Sequence, residues 1–149
     1  MLSHPPKDRP GGGLQFHASS VAVDGKAVLI AGPSGCGKSS LAIGMMALGA
    51  SLIADDITWV DHEDGTLMAS CPPTILNKIE ARGLGVLRAD ASGPAPVRAI
   101  LDLAQVEDQR IPSPRSVSIL GHDVPLLHRP ATDHVAAMMM HYMRFGRID

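Results

Sequence analysis

Residues 29–42, LIAGPSGCGKSSLA, place Gly32, Gly37, Lys38 and Ser39 in the spacing G-x-x-x-x-G-K-[ST]. Glycines at such positions let backbone N–H groups turn inward around a phosphate, and the helix that follows adds the positive end of its dipole. Gly32, Pro33, Ser34, Gly35, Cys36, Gly37, Lys38, Ser39 and Ser40 therefore form the candidate nucleotide-binding set. Lys38 is suited to bridge the β- and γ-phosphates, and the Ser39 hydroxyl to ligate Mg²⁺. From Lys38 the pattern is helical, with Leu41, Met45 and Leu48 at i, i+4 and i+7, and Gly49 marks the end. The motif predicts an α/β fold of the P-loop NTPase type with a mixed sheet. It fixes a nucleotide site and leaves the reaction open.

Working outward, LQFHASSVAV (14–23) reads as a strand, Asp24-Gly25 as a tight turn, and KAVLIAG (26–32) as a buried strand that enters the loop. Beyond the helix, ASLIADDITWVD (50–61) predicts a strand pair or one bent strand, interrupted at Asp55-Asp56. HEDG (62–65) predicts a turn and TLMAS (66–70) a strand. The Cys71-Pro72-Pro73 break is followed by ILNKIEARGLGVLRA (75–89), read as a loop because of Gly83 and Gly85. PVRAILDL (96–103) reads as a strand and EDQRIPSPR (107–115) as a polar loop. Thr132 is the expected N-cap, with Asp133 in the first turn, of a closing helix over 133–144. Met138, Met139 and Met140 on that helix are expected in packing. The first 13 residues, MLSHPPKDRPGGG, are expected to form a disordered lead-in, and 14–149 a single domain.

Composition narrows the classes. A formal net charge of −2 gives no electrostatic footprint for nucleic acid or an anionic membrane. No run of about 18 apolar residues predicts a spanning helix. The 2 cysteines, Cys36 and Cys71, match no metal spacing, and a disulfide at Cys36 would obstruct the loop, so a reducing cytoplasm is expected. Asp55 and Asp56 follow the apolar run Leu52-Ile53-Ala54. Neighbouring carboxylates on an extended chain point to opposite sides. One can hold the metal as a Walker-B acid while the other removes a proton from an acceptor; the alternative is that the pair marks a turn.

Three stretches in order resemble the HPr kinase/phosphorylase family: FHASSVAVDGKAVLIAGPSGCGKS, SLIADDITWV with its A-D-D, and IEARGLGVL with E-x-R-G-L-G. The resemblance covers residues 16 to 90 and resumes at VPLLHRPATDHVAAMMMHY. It implies a short, catalytic-domain form of an ATP-dependent serine kinase acting on the phosphocarrier HPr. It also implies the reverse, phosphorylase reaction with inorganic phosphate, a fold similar to the nucleotide domain of phosphoenolpyruvate carboxykinase, and hexamers. By the same resemblance Asp55 is the general base, and His17 lies across the sheet to orient it. Mg²⁺ is held by Ser39, Asp56 and Glu80, and Arg129 is the positive group before the last helix, with Arg115 and Arg144 as competitors. Arg82 and the glycines after it shape their loop. Pro33 stands where the family commonly has an acidic residue, and Ser40-Leu41 replaces Glu-Thr. A small-molecule P-loop kinase and a non-catalytic nucleotide-dependent switch are the competing readings.

Overall fold

The computed structural model describes residues 1–149. In chain order its elements are β1 (Lys7–Asp8), β2 (Leu14–Phe16), β3 (Ala18–Val23), β4 (Lys26–Ala31), α1 (Lys38–Ala47), β5 (Ser51–Ala54), β6 (Thr58–Glu63) and β7 (Thr66–Ser70). There follow β8 (Lys78–Ala81), β9 (Gly85–Arg88), β10 (Ala95–Val106), β11 (Ser116–Ile119), β12 (His122–Arg129) and α2 (Val135–Phe145).

Local chemistry forms the hairpin before the phosphate loop. Asp24 and Gly25 both take positive φ, 50° and 77°, which matches the right-handed twist of the strands they join. All six residues of β3 are buried, Ser19 and Ser20 included, so neither face of the strand meets solvent. The expected single strand over 14–23 is divided at His17. Phe16 pairs with Thr58 of β6, whereas Ala18 pairs with Ala31 of β4. One continuous run thus serves two parts of the sheet, with His17 at the crossing.

The main path of the sheet runs β1-β2-β6-β7-β10-β4-β3-β5, with β12 pairing β10 and β11 pairing β12. β10 is parallel to both β4 and β12, and the other pairings are antiparallel, which makes the sheet mixed. Its first residues pair with β7 and its later ones with β4 and β12, so this 12-residue strand carries both halves. One apolar cluster, including Phe16, Leu29, Val60, Leu67, Ile100 and Leu126, fills the space between the two halves. A second, including Val21, Ile30, Met45, Leu101, Met139 and Met143, lies between the sheet and the two helices. Gly44 lets those helices approach: a Cβ there would stand 3.1 Å from that of Ala136.

Five expectations are corrected. The stretch 75–89 is not a loop but contains a separate hairpin, β8–β9, with Ile79 and Ala81 buried. β11 and β12 form where no strand was foreseen. The closing helix begins at Val135, because the Thr132 hydroxyl only accepts the His134 N–H at 3.3 Å and makes no N-cap. Of the Met triplet, Met139 and Met140 are buried and Met138 is exposed. Finally, the first 13 residues are not a disordered lead-in. β1 pairs with β2, and Leu2 is buried in the core between the sheet halves.

The N-terminal segment is fixed by Asp102, which is 1% exposed and pairs in register with Ala31, the last residue before the phosphate loop. Its Oδ2 accepts from Ser3 N–H (2.9 Å), Ser3 Oγ (2.7 Å) and Gln105 Nε2 (2.9 Å), and its Oδ1 accepts from Ala104 N–H (3.0 Å). Burial alone would raise the proton affinity of this carboxyl, but the donors from Gln105, Ser3 and Ala104 outweigh it and hold the pKa below the usual 3.8. A carboxyl lowered in this way stabilises the fold at pH above the usual value. That stability is lost as pH falls below about 4, through the lowered folded value. Asp102→Asn turns an amide NH₂ toward these donors and is expected to cost about 1.5–3 kcal/mol at pH 7. Urea denaturation should show the gap between variant and parent closing as the pH is lowered below 4.

Candidate nucleotide and phosphoryl-transfer site

The loop after β4 is shaped by glycines at specific places. Gly32 has φ 149°, and a Cβ there would lie 2.6 Å from Cys36 Sγ, so only glycine fits without displacing that side chain. Gly37 caps α1 in the left-handed region at φ 99° and accepts the Leu41 N–H at 3.0 Å. The free N–H groups of the first helical turn therefore face the loop's concavity, an anion-binding arrangement. Lys38 is 5% exposed and donates from Nζ to the Pro33 carbonyl at 3.0 Å.

Opposite the loop, the chain leaves β5 and turns sharply at Asp56, whose φ is 66°. That turn separates the two carboxylates. Asp55 Oδ1 accepts from Ser39 Oγ at 2.5 Å and Ser19 Oγ at 2.9 Å, and its Oδ2 accepts from the Glu80 N–H at 2.9 Å. Asp56 Oδ1 lies 2.8 Å from His17 Nε2 and 3.6 Å from Lys38 Nζ. Lys38 Nζ is also 3.4 Å from His17 Nε2. That nitrogen can donate to Asp56 or accept from Lys38, not both, and the shorter distance favours donation.

Ser34, Gly35, Gly37, Lys38, Ser39, Ser40, Asp55, Asp56, Glu80 and Arg82 line a cavity of about 300 Å³ with no hydrophobic side chain in its wall. Of the residues expected from sequence, Gly32, Pro33 and Cys36 are not in that wall. They build the loop behind it, with Cys36 packed toward the helix-side core. His17 reaches the site through Asp56 and Lys38.

The contacts pair His17 with Asp56 and not with Asp55, the partner expected for it. Asp55 is on the Ser39 side, where a metal-holding acid belongs, and Asp56 is the one that meets His17. Arg129 is not in the cavity. It ends β12, two strands from β4 and so about 10 Å across the sheet, and its exposed side chain borders a separate hollow with residues 130–134. Arg82, read as a loop-shaping residue, lines the cavity instead, its guanidinium 3.7 Å from where a Cβ on Gly35 would stand. Ser19 was missed altogether, since a serine on a buried strand carries no sequence signal. Burial, then the Asp55 charge, pushes the Cys71 thiol up from its usual value, which leaves it protonated and without nucleophilic character.

Hard oxygen donors at Ser39 and Asp55, beside a basic loop, fit Mg²⁺ held jointly with nucleotide phosphates, a mode that needs only one or two protein carboxylates. No cluster of three His, Cys, Asp or Glu side chains could hold a metal on its own. No helix is long and apolar enough to cross a membrane.

A family model described as the HPr serine kinase C-terminal domain matches residues 13–99. The HPr kinase/phosphorylase of Chlorobium luteolum is 36% identical over 132 residues, covering 78% of this chain and 39% of the relative. That of Clostridium botulinum is 38% identical over 73 residues, 49% of this chain and 24% of the relative. The chain thus spans well under half the length of the curated relatives it matches. The solved structure of the HPr(Ser) kinase/phosphatase from Coxiella burnetii superposes with a TM-score of 0.75 at 23% identity, covering 87% of this chain and 88% of that one, a likeness of fold.

Proposed function

Because this chain belongs to the HPr serine kinase C-terminal domain family, we propose that it transfers the γ-phosphate of ATP to a serine of an HPr-type phosphocarrier. The observation that carries this reading is the meeting of the phosphate loop with two separately held carboxylates. Lys38 and Ser39 face Asp55 and Asp56 across one polar cavity. A switch that only binds nucleotide needs the metal-side acid alone.

In this reading the loop N–H groups and Lys38 bind the β- and γ-phosphates, and Arg82 supplies a further positive charge above the loop. Ser39 and Asp55 hold Mg²⁺, with Glu80 at the cavity wall as a further candidate ligand. The ion, when bound, neutralises charge on the transferring group. Asp56 accepts the proton of the attacking serine hydroxyl, and His17 orients Asp56 through its 2.8 Å contact. Run in reverse with inorganic phosphate as the acceptor, the same aspartate returns the proton. Phosphoryl transfer is then mainly positioning and charge stabilisation, which this set of fixed groups provides. The strand–glycine loop–helix unit supports reading the fold as a P-loop type similar to the nucleotide domain of phosphoenolpyruvate carboxykinase. A cytoplasmic setting and hexameric assembly complete the proposal.

The test combines the purified protein, ATP labelled on its γ-phosphate, Mg²⁺ and the HPr-type carriers of the same cell. Label is expected on a carrier serine, located by mass spectrometry. Removal of the label on adding inorganic phosphate, with formation of pyrophosphate, would report the reverse reaction. Nucleotide binding without label on any carrier would overturn the assignment.

A further inference from the structure

Ser19 is completely buried on β3, and its hydroxyl touches the Asp55 carboxylate and the backbone N–H of Asp56. The oxygen donates to Asp55 Oδ1 at 2.9 Å and accepts the Asp56 N–H at 3.0 Å. The second bond holds Asp56 in the left-handed conformation, φ 66°, that parts the two side chains. A non-glycine residue stays in such a conformation only where its surroundings over-determine it. The first bond matters because Asp55 Oδ1 has only two hydroxyl donors, Ser19 and Ser39. When Ser39 turns its oxygen to a metal, Ser19 is the one side-chain donor left on Asp55.

We propose that Ser19 is a positioning residue that sets both carboxylates at once, fixing Asp55 for the metal and Asp56 for the acceptor through one hydroxyl. The proposal rests on the kinase reading for the roles of the two aspartates, while the contacts themselves do not. The neighbouring Ser20 offers an internal comparison. It is equally buried, but its hydroxyl bonds Thr58 Oγ1 at 2.8 Å, and Thr58 in turn bonds the Ala18 carbonyl, so neither aspartate is touched. Loss of Ser20 removes a buried hydrogen bond of the same kind without disturbing the site.

The experiment measures three quantities for Ser19→Ala, Ser19→Cys and Ser20→Ala: the Mg²⁺ concentration that half-saturates nucleotide binding, the kcat and KM for carrier phosphorylation, and the urea midpoint. Residues that orient metal ligands typically carry about 10- to 100-fold in metal affinity or activity. Both Ser19 variants are expected to raise the Mg²⁺ requirement and lower kcat by at least about tenfold on that scale, with the KM for carrier unchanged. Ser20→Ala should lower the urea midpoint and leave the other two readouts alone. Cysteine keeps the volume but donates poorly, so Ser19→Cys remains informative if the alanine variant does not fold. A Ser19→Cys enzyme equal to the parent, or a Ser19→Ala enzyme that loses stability only, would overturn the proposal. Absence of carrier phosphorylation by the parent itself defeats the kinase reading, and the Mg²⁺ requirement then still decides the role of Ser19.

Discussion

Asp56→Asn is expected to lower carrier phosphorylation by about 10³-fold, within the range that a positioned general base contributes, while Mg²⁺-dependent nucleotide binding persists. The substitution isolates chemistry from folding. Asparagine enters the left-handed region more readily than most residues, so the φ of 66° that Asp56 adopts is kept, as is the N–H that donates to Ser19. What disappears is the capacity of the side chain to take a proton, along with the charge facing His17 and Lys38. Asp55→Asn should do something different. Its carboxylate accepts from Ser19, Ser39 and the Glu80 N–H; an amide keeps one of the two oxygens and carries no charge for a cation. Mg²⁺-dependent nucleotide binding should therefore weaken first, with turnover lost as a consequence. Calorimetric titration of nucleotide with and without Mg²⁺, beside the labelled-transfer assay, separates the two. The reverse pattern, binding lost at Asp56 and transfer alone lost at Asp55, would restore the assignment expected from the sequence.

That assignment shows where local information stops. The phosphate loop, its flanking strand and helix, and the Asp24-Gly25 hairpin were all legible, because each depends on φ preferences and spacing within a few residues. That both aspartates would stand near the glycine loop was legible too, and both line its cavity. Their contacts were not, since these are made with partners 16 to 39 positions away: Ser39, Ser19, Glu80 and His17. A local break from extended geometry at Asp56, φ 66°, turned its side chain toward His17. The N-terminal segment failed as a reading on the same ground. Nothing in MLSHPPKDRPGGG announces order, because what orders it is a buried carboxylate about a hundred residues later, reached by Ser3. The β8–β9 hairpin was obscured by its glycines, although Ile79 and Ala81 alternate inward as a strand requires. β12 reads poorly because His122, Asp123, Pro125, His128 and Arg129 interrupt its apolar run. Its place beside the parallel strand β10 supplies the pairing that its sequence does not advertise.

The same limit governs the arginines, and here the second large effect is expected. Arg82→Ala should lower the transfer rate by about 10²-fold, the scale for losing one well-placed donor to developing charge, and Arg129→Ala should leave it nearly unchanged. Arg82 follows β8, whose Glu80 N–H is anchored to Asp55, so the hairpin and that carboxylate move as one unit. This carries the guanidinium over Gly35, into the wall of the cavity that the glycine loop lines. Arg129 ends a strand whose carboxyl end lies on the same edge of the sheet as the loop, which explains why sequence order made it attractive. Two strand spacings and a separate hollow keep it from the glycine loop. Arg82→Lys should recover only part of the rate, because a lysine presents one compact charge in place of a planar fork of donors. Single-turnover measurements at saturating ATP isolate the transfer step from nucleotide binding. A normal rate in Arg82→Ala together with a large loss in Arg129→Ala would mean that the last strand and helix close over the loop during turnover, bringing Arg129 to the phosphates.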